Sequence, residues 1–367
     1  MKKLLLILTL CVTASFIVTR PSYSSIFGEV IQVSDNSYND YSPIMNNNKW
    51  VAWSGYDGTD YEVYLYKGSG TPIPLSNNSY RDYIPQMNNN GWVVWGNENT
   101  DGIRLYKGSG TPIVIPNSNN GINPVIGDNG WVAWSGYDGH DYEVYLYKGS
   151  GTPIRLTYNS YNDNYCRINS NGWITWEMWD GHDYEVYLYK GNGSPIRLTN
   201  NSSNDYGPEI GDNGWVTWNG SLTNGIYLYK ASGTPIVIPN SINGTNPTIN
   251  KNGWVAWYGF YDHDIYLYKA SGIPVQISSP DYYNEYPVIG DEVVAWKARY
   301  AGIFIYYTYS EETEFIASTS YCYDPTVSDN GWVTWSDYDG SDYEIYYYEP
   351  PIRPILPPPF PYPPVFP

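Results

Sequence analysis

The residues with the most evident chemistry in this chain are carboxylates, and they return at regular intervals. Asp40, Asp82, Asp163 and Asp205 close the stretches "SYND", "SYRD", "SYND" and "SSND", and Glu285 lies nearly in register with them. Tyr41, Tyr83 and Tyr206 directly follow three of these acids. Two readings are open. Each Asp can accept hydrogen bonds from the backbone of its own turn. Alternatively, the acids gather around a shared opening and hold a cation or sugar hydroxyls, with the tyrosine rings stacking on sugar C–H faces. In the second reading the ligand-binding set is Asp40, Tyr41, Asp82, Tyr83, Asp163, Asp205, Tyr206 and Glu285.

A second series pairs Asp57 with Asp60, Asp138 with Asp141, Asp180 with Asp183 and Asp339 with Asp342, within stretches such as "YDGTDYE" and "YDGHDYE". Asp-Gly hairpin turns explain these pairs. A complete calcium loop needs about six or more oxygens and a longer acidic pattern, so Ca²⁺ stays open here and no other cofactor is expected. His140, His182 and His263 occupy one position of this stretch, where Thr59 and Ser341 stand in other copies, which suits a solvated site. A transition-metal centre would require several of these imidazoles to converge. There is no G-x-S-x-G stretch to make a nucleophile elbow. Acids are plentiful for a paired-carboxylate glycosidase, but nothing singles out a pair.

The elements that carry these groups repeat. Tetrads of the "WVAW" type occur at Trp50–Trp53, Trp92–Trp95, Trp131–Trp134, Trp173–Trp176, Trp215–Trp218, Trp254–Trp257, Val293–Trp296 and Trp332–Trp335, eight in all and 39 or 42 residues apart. Each unit contains four strand-like runs, in the third unit "NPVIG", "WVAW", "YEVYLY" and "TPIRLT", separated by turn-forming "DNG", "YDGHD" and "KGSG". In "YEVYLY", Tyr142, Val144 and Leu146 share the more apolar face, which is expected to meet the neighbouring blade. Four antiparallel strands in about 40 residues make a propeller blade. The last unit lacks a fourth strand, while Glu29–Val33 precedes the first unit without a sheet of its own. The predicted fold is therefore an all-β, eight-bladed propeller of four-stranded blades, closed by the N-terminal strand completing the last blade.

The register of "LTNNSSNDYGPEIGDNGWVTW" (198–218) resembles the TolB-type WD-like propeller repeat, and the resemblance runs to Tyr348. It implies a propeller, and it is specific for fold rather than function, since such blades serve scaffolds, peptidase gating domains and polysaccharide-degrading enzymes. A second period lies above the blade. Residues 37–141 match 160–264 at a constant offset of 123, as in Asp82 and Asp205, indicating a duplicated three-blade block. Such a duplication favours a repeated binding surface over one asymmetric active site.

The N-terminus reads as an export signal, with Lys2 and Lys3, an apolar run from Leu4 to Val18 and cleavage expected after Ser24. The domains are thus a signal peptide (1–24), a propeller (25–349) and a proline-rich tail (350–367). Loss of the signal removes three cations and no acid, moving the formal charge from −18 to −21. That charge disfavours nucleic acid and anionic lipid as partners. No membrane insertion is expected after cleavage, and a monomer is expected. Cys166 and Cys322 are too few for a disulfide framework and are expected as thiols on blades facing each other across the channel. The tail, ten prolines in eighteen residues, reads as an extended arm. The expected function is an exported, non-catalytic glycan- or protein-binding module, acting in the periplasm, at the cell surface or outside the cell. A polysaccharide lyase or hydrolase using the same face is the alternative.

Overall fold

The computed structural model describes residues 28–99, 101–221, 224–317 and 321–351. The expected signal peptide and all but the first two residues of the proline-rich tail lie outside the described residues. Eight separate four-stranded antiparallel sheets form an eight-bladed β-propeller, with no helix among the described residues. Blade 1 runs from its inner strand, Asp40–Met45, through Trp50–Tyr56 and Tyr61–Lys67 to a short outer strand, Ile73–Pro74. The last blade has Tyr323–Val327, Val333–Tyr338 and Tyr343–Glu349 from the C-terminal end. Its fourth strand is Glu29–Gln32, which pairs antiparallel to Tyr343–Glu349 with Glu29 opposite Glu349 and Gln32 opposite Tyr346.

Blades meet through side chains, and the repeated residues are the ones that meet. The last Trp of each tetrad is at most 2% exposed, and in seven blades it lies flat on an aromatic of the third strand, as with Trp218 on Tyr227 at 5.6 Å and Trp296 on Phe304 at 5.9 Å, whereas Trp95 of blade 2 stands opposite Arg104. Third-strand aliphatics then fill the space against the next blade: Val144 and Leu146 pack with Ile174 and Trp176, and Ile303 and Ile305 with Val333 and Trp335. The apolar face of "YEVYLY" thus lies where expected. The opposite face is buried too, with Glu143 at 0% and Tyr147 at 4% exposure, because each blade is sandwiched between two neighbours.

The first Trp of the tetrad explains the recurring "YKG". Lys148 lies 4.1 Å from the Trp131 ring centroid and donates to the carbonyl of Gly191 in the next blade, while Lys190 lies 4.8 Å from Trp173 and donates to Ala231. Lys67, Lys107, Lys230 and Lys269 repeat this contact on Trp50, Trp92, Trp215 and Trp254. Asparagines of the first hairpin add a second clasp, as Asn88 Nδ2 donates to Gly127 O at 3.0 Å and Asn169 Nδ2 to Gly211 O at 3.0 Å.

Two outcomes follow from this packing. Deleting Glu29–Gln32 strips the outer edge of Tyr343–Glu349 of its partner, which invites intermolecular strand addition; size-exclusion chromatography should show aggregated protein in place of a monomer. Cys166 and Cys322 are buried in different interblade clusters and neither is in a disulfide. Burial pushes both thiols up to about 12, so alkylation should be negligible in native protein and complete for both after denaturation.

Candidate functional site

One face of the ring carries the connections between blades and the hairpins joining second to third strands. On this face every inner strand is interrupted at the same place. In blade 1, Tyr41 pairs with Ser54 and Ile44 with Ala52, so Ser42 and Pro43 bulge opposite a single residue. All eight bulges hold a left-handed residue: Ser42, Ile84, Asn123, Tyr165, Gly207, Asn246, Tyr286 and Asp324, with φ between 49° and 62°. Proline follows in every blade but the fourth, where Cys166 stands. Its missing N–H is harmless at a bulge, which needs no ladder bond there. The bulge amides of two blades are satisfied by the preceding blade, Ile84 N donating to Ser54 Oγ at 3.0 Å and Gly207 N to Glu177 Oε2 at 2.8 Å.

The sequence reading placed Asp40, Asp82, Asp163 and Asp205 around the channel mouth. They do not lie there. All four are at most 1% exposed, two residues before the left-handed bulge residue and turned into the blade. The Asn four residues earlier donates to each, for example Asn36 Nδ2 to Asp40 Oδ2 at 2.9 Å and Asn159 Nδ2 to Asp163 Oδ2 at 2.6 Å. From the other side Trp176 Nε1 donates to Asp163 Oδ1 and Trp218 Nε1 to Asp205 Oδ1, both at 3.0 Å. The acids are therefore held in the interior by side-chain donors, more deeply than a turn cap requires. Tyr41, Tyr83 and Tyr206 are half-buried rather than open platforms. Tyr41 is flanked by Tyr343 at 5.1 Å and Tyr61 at 6.3 Å, and Arg81 covers Tyr83 at 5.8 Å. Glu285 aligns with Tyr41 rather than Asp40, pairs opposite Lys297 and is buried at 8% exposure.

The Asp-Gly hairpins divide their two acids between two roles. The first caps the turn as expected: Asp57 Oδ1 accepts from Thr59 N at 2.7 Å and Asp60 N at 3.1 Å, and Asp138, Asp180 and Asp339 do the same. The second turns inward beside a buried glutamate that the sequence reading passed over. Asp57, Asp60 and Glu62 bring carboxylate oxygens within 4.8 Å of one another, and so do Asp138/Asp141/Glu143, Asp180/Asp183/Glu185 and Asp339/Asp342/Glu344. Each glutamate also faces the interior Asp of the following blade, as Glu62 faces Asp82, Glu143 faces Asp163 and Glu344 faces Asp40.

Burial dominates the titration of these groups. Desolvation, opposed by hydrogen bonds and reinforced by the glutamate of the preceding blade, pushes Asp40 and Asp163 up to about 7 and Asp205 to about 6. Desolvation likewise pushes Glu62 up to about 7 and raises Asp82 and Glu344. Arginine from the outer strand compensates two of the hairpins: Arg155 reaches Asp138 at 2.8 Å and also Glu143, and Arg197 reaches Asp180 at 2.8 Å and Glu185 at 2.7 Å. Blade 1 has Pro74 at that register and the last blade Gln32.

Exposed tyrosines are concentrated on this face. All exposed tyrosines among the described residues except Tyr309 lie on it, including Tyr165 and Tyr286, both 55% exposed at bulge positions, and Tyr158 at 75%. His140 and His182 project from separate hairpins into solvent, whereas His263 stacks on Tyr283 at 3.6 Å, so the three imidazoles do not converge. Blades 7 and 8 differ from the rest. There Glu285 lies 3.9 Å from Lys297 and 3.6 Å from Arg299, and Lys297 sits 3.9 Å from the Tyr323 ring centroid. At the opposite end of the channel a cavity of about 230 Å³ is lined by Asn89, Asp128, Asp212 and Asp329 among others.

The architecture makes this chain a β-propeller. No family model matches its sequence, and neither does any curated protein. Among solved structures it is similar to a computationally designed protein, with 14% identity, a TM-score of 0.62 and coverage of 86% of this chain and 98% of that one. It is similar to an oligogalacturonate lyase from Vibrio parahaemolyticus, with 10% identity, a TM-score of 0.56 and coverage of 87% and 93%. It is also similar to the β-propeller domain of the trilobed protease from Pyrococcus furiosus, at 11% identity, TM-score 0.52 and coverage of 76% and 97%. That domain has an open velcro topology, whereas the N-terminal strand closes the ring here. At these identities the likeness is one of fold.

The raised carboxyls fix a direction for stability against pH. A folded-state value above the unfolded one means that the native protein holds extra protons between the two, so stability is full below about 4 and is lost as pH rises through about 7. In chelator-containing buffer the melting temperature should fall across that window. Glu62→Gln, which cannot ionise, should flatten part of the fall, while a melting temperature that rises between pH 4 and 7 would contradict the burial of these pairs.

Proposed function

We propose that this protein is an exported, non-catalytic binding module whose tyrosine-rich face engages glycans or, as the other class of partner, a protein outside the cytoplasm. The observation that carries this reading is the confinement of exposed tyrosines to one face of a rigid ring. An exposed tyrosine offers an apolar ring for C–H stacking and a hydroxyl for hydrogen bonding at low cost in side-chain entropy. The left-handed bulges support it, since they turn successive residues outward at the channel rim on a scaffold held by interblade packing. A groove of about 340 Å³ beside blade 1, bordered by Asp35, Asn36, Tyr38 and Asp57, offers polar groups next to aromatic ones.

A second reading, a polysaccharide-acting enzyme, draws on one observation, the acid, lysine and arginine gathered at Glu285, Lys297 and Arg299. Their mutual pairing and the burial of Glu285 and Lys297 favour a structural role over a proton-transfer one. The test is a glycan-array screen with the purified ring, followed by Tyr165→Ala with Tyr286→Ala. Stacking of about 1 kcal/mol per ring predicts a loss of roughly tenfold or more in affinity with an unchanged melting temperature. Binding that survives the double substitution, or turnover of a polysaccharide abolished by Lys297→Met, would displace this reading.

A further inference from the structure

The hairpin carboxylates are not scattered independently around the ring. At the position of Glu62 the eight blades carry Glu62, Gly102, Glu143, Glu185, Gly225, Asp264, Gly302 and Glu344, judged by strand register. The facing position in the following blade reads Asp82, Gly121, Asp163, Asp205, Gly244, Asn284, Cys322 and Asp40 in the same order. Glu always faces Asp, and where Glu is replaced by Gly or Asp the facing Asp is also gone. Asp60, Asp141, Asp183 and Asp342 accompany the Glu, while in the sixth blade Asp262 stands at the same register ahead of Asp264 and accepts from Asp264 N and the Tyr266 hydroxyl. Like charges that appear and vanish together at a dry interface share something that neutralises them.

Their oxygens include several without a hydrogen-bond partner. Asp141 is 8% exposed with neither carboxylate oxygen hydrogen-bonded, and fully buried Glu143 leaves Oε2 without a partner. Blade 4 repeats this in Asp183 Oδ2 and Glu185 Oε2, blade 1 in Asp60 Oδ1 and Glu62 Oε2, and the last blade in Asp342 Oδ1. Buried polar atoms are ordinarily satisfied, so an orphaned oxygen on the inward Asp of all four hairpins, joined by one on the Glu in three of them, marks a missing partner; in the last blade both Glu344 oxygens accept, from Ser34 Oγ and Asn36 N. Three converging carboxylates are hard oxygen donors and contain no nitrogen or sulfur, which suits Ca²⁺. That ion takes about six to eight oxygens and completes its set with water and backbone carbonyls.

We propose that each of the four Asp-Gly-x-Asp-Tyr-Glu hairpins is a calcium site, in which the inward Asp and Glu carboxylates hold the ion at the boundary with the next blade. The sites in blades 1 and 8 lack the outer-strand arginine and have the greater net negative charge, so they bind more tightly than those in blades 3 and 4. The ion ties together the boundaries where carboxylates would otherwise repel.

The experiment uses the whole secreted chain, stripped with a chelator and titrated with CaCl₂ by calorimetry in about 150 mM NaCl, where diffuse counterion binding is screened. Saturable uptake is expected, with a rise in melting temperature on the order of 5 °C at saturating calcium. Asp60→Asn with Asp342→Asn should remove the tighter class of sites, and adding Asp141→Asn and Asp183→Asn should remove the rest. Asp128→Asn with Asp212→Asn at the opposite channel mouth should leave uptake unchanged. Should the fourfold variant not fold, Asp141→Asn alone must lower the number of ions bound by one. No saturable uptake by the folded wild type, or uptake indifferent to Asp141→Asn, overturns the proposal.

Discussion

No backbone ladder crosses from one blade to the next; each sheet is laddered only within itself, and neighbouring blades share isolated backbone bonds such as Asp205 N to Tyr184 O at 2.7 Å and Asn284 N to His263 O at 3.1 Å. What makes a ring out of eight marginal sheets therefore passes mainly through side chains, together with the one exchanged strand that fixes the first residues to the last. This constraint accounts for the repetition in the sequence. A four-stranded sheet of about 40 residues cannot bury its own faces. Each copy needs the same plate, the last Trp of the tetrad, and the same aliphatic wedge from the third strand, and six of the eight add a Lys over the first Trp reaching for the next blade's carbonyl. The abundance of Tyr and Trp over Phe follows from the geometry as well, because a plate at a blade boundary has an apolar body and an edge that meets polar groups.

The acidic boundaries are the exception to an otherwise apolar arrangement. Burying an ionised carboxylate costs several kcal/mol unless it is paired or neutralised, and in this ring two buried acids face each other at four of eight boundaries. Where they are missing, glycine takes both places in two boundaries, and space is the reason. A Cβ on Gly121 would come within 2.8 Å of the Trp134 ring and one on Gly225 within 2.6 Å of Ser241 Oγ. Six boundaries are thus either collapsed and uncharged, with Ser118 Oγ or Ser241 Oγ donating and accepting in the space, or opened and carboxylate-lined. The other two are mixed: buried Asp264 faces Asn284 and accepts from Ser278 Oγ at 2.9 Å, and Gly302 faces Cys322.

Blade number, strand content and closure were legible in the sequence because each rests on a period or on a counting argument about the ends. The acids were misplaced for a physical reason. Turn propensity at "SYND" is a local signal that correctly locates a chain reversal, but it carries no information about which way the Asp points after it. Longer spacings did carry that information. Each of these acids stands four residues after an Asn and thirteen before the buried Trp of its own blade, as in Asn159, Asp163 and Trp176; the Asn donates to all four acids, and the Trp donates to Asp163 and Asp205. The inward Glu of "DYE" was visible by parity as the odd polar residue on a face shared with Tyr145 and Tyr147. It was passed over because a blade was treated as having one wet face. The bulge left only the weaker trace of a proline one residue on.

Packing and rim have diverged at different speeds within this one chain. Across the 123-residue offset the interior is retained, Trp53 with Trp176, Asp40 with Asp163, Trp95 with Trp218 and Asp82 with Asp205. Over the same span two of the three bulge residues change, Ser42 to Tyr165 and Ile84 to Gly207, while Asn123 and Asn246 are the same. A left-handed bulge fixes where its side chain emerges while demanding nothing of that side chain's packing, so it can vary without disturbing the boundary behind it. Ile84 shows how far this tolerance goes, a β-branched residue kept in a conformation it rarely adopts and left 52% exposed. Positions that are rigid in the backbone and free in the side chain are the ones through which a repeated ring can acquire an asymmetric binding face.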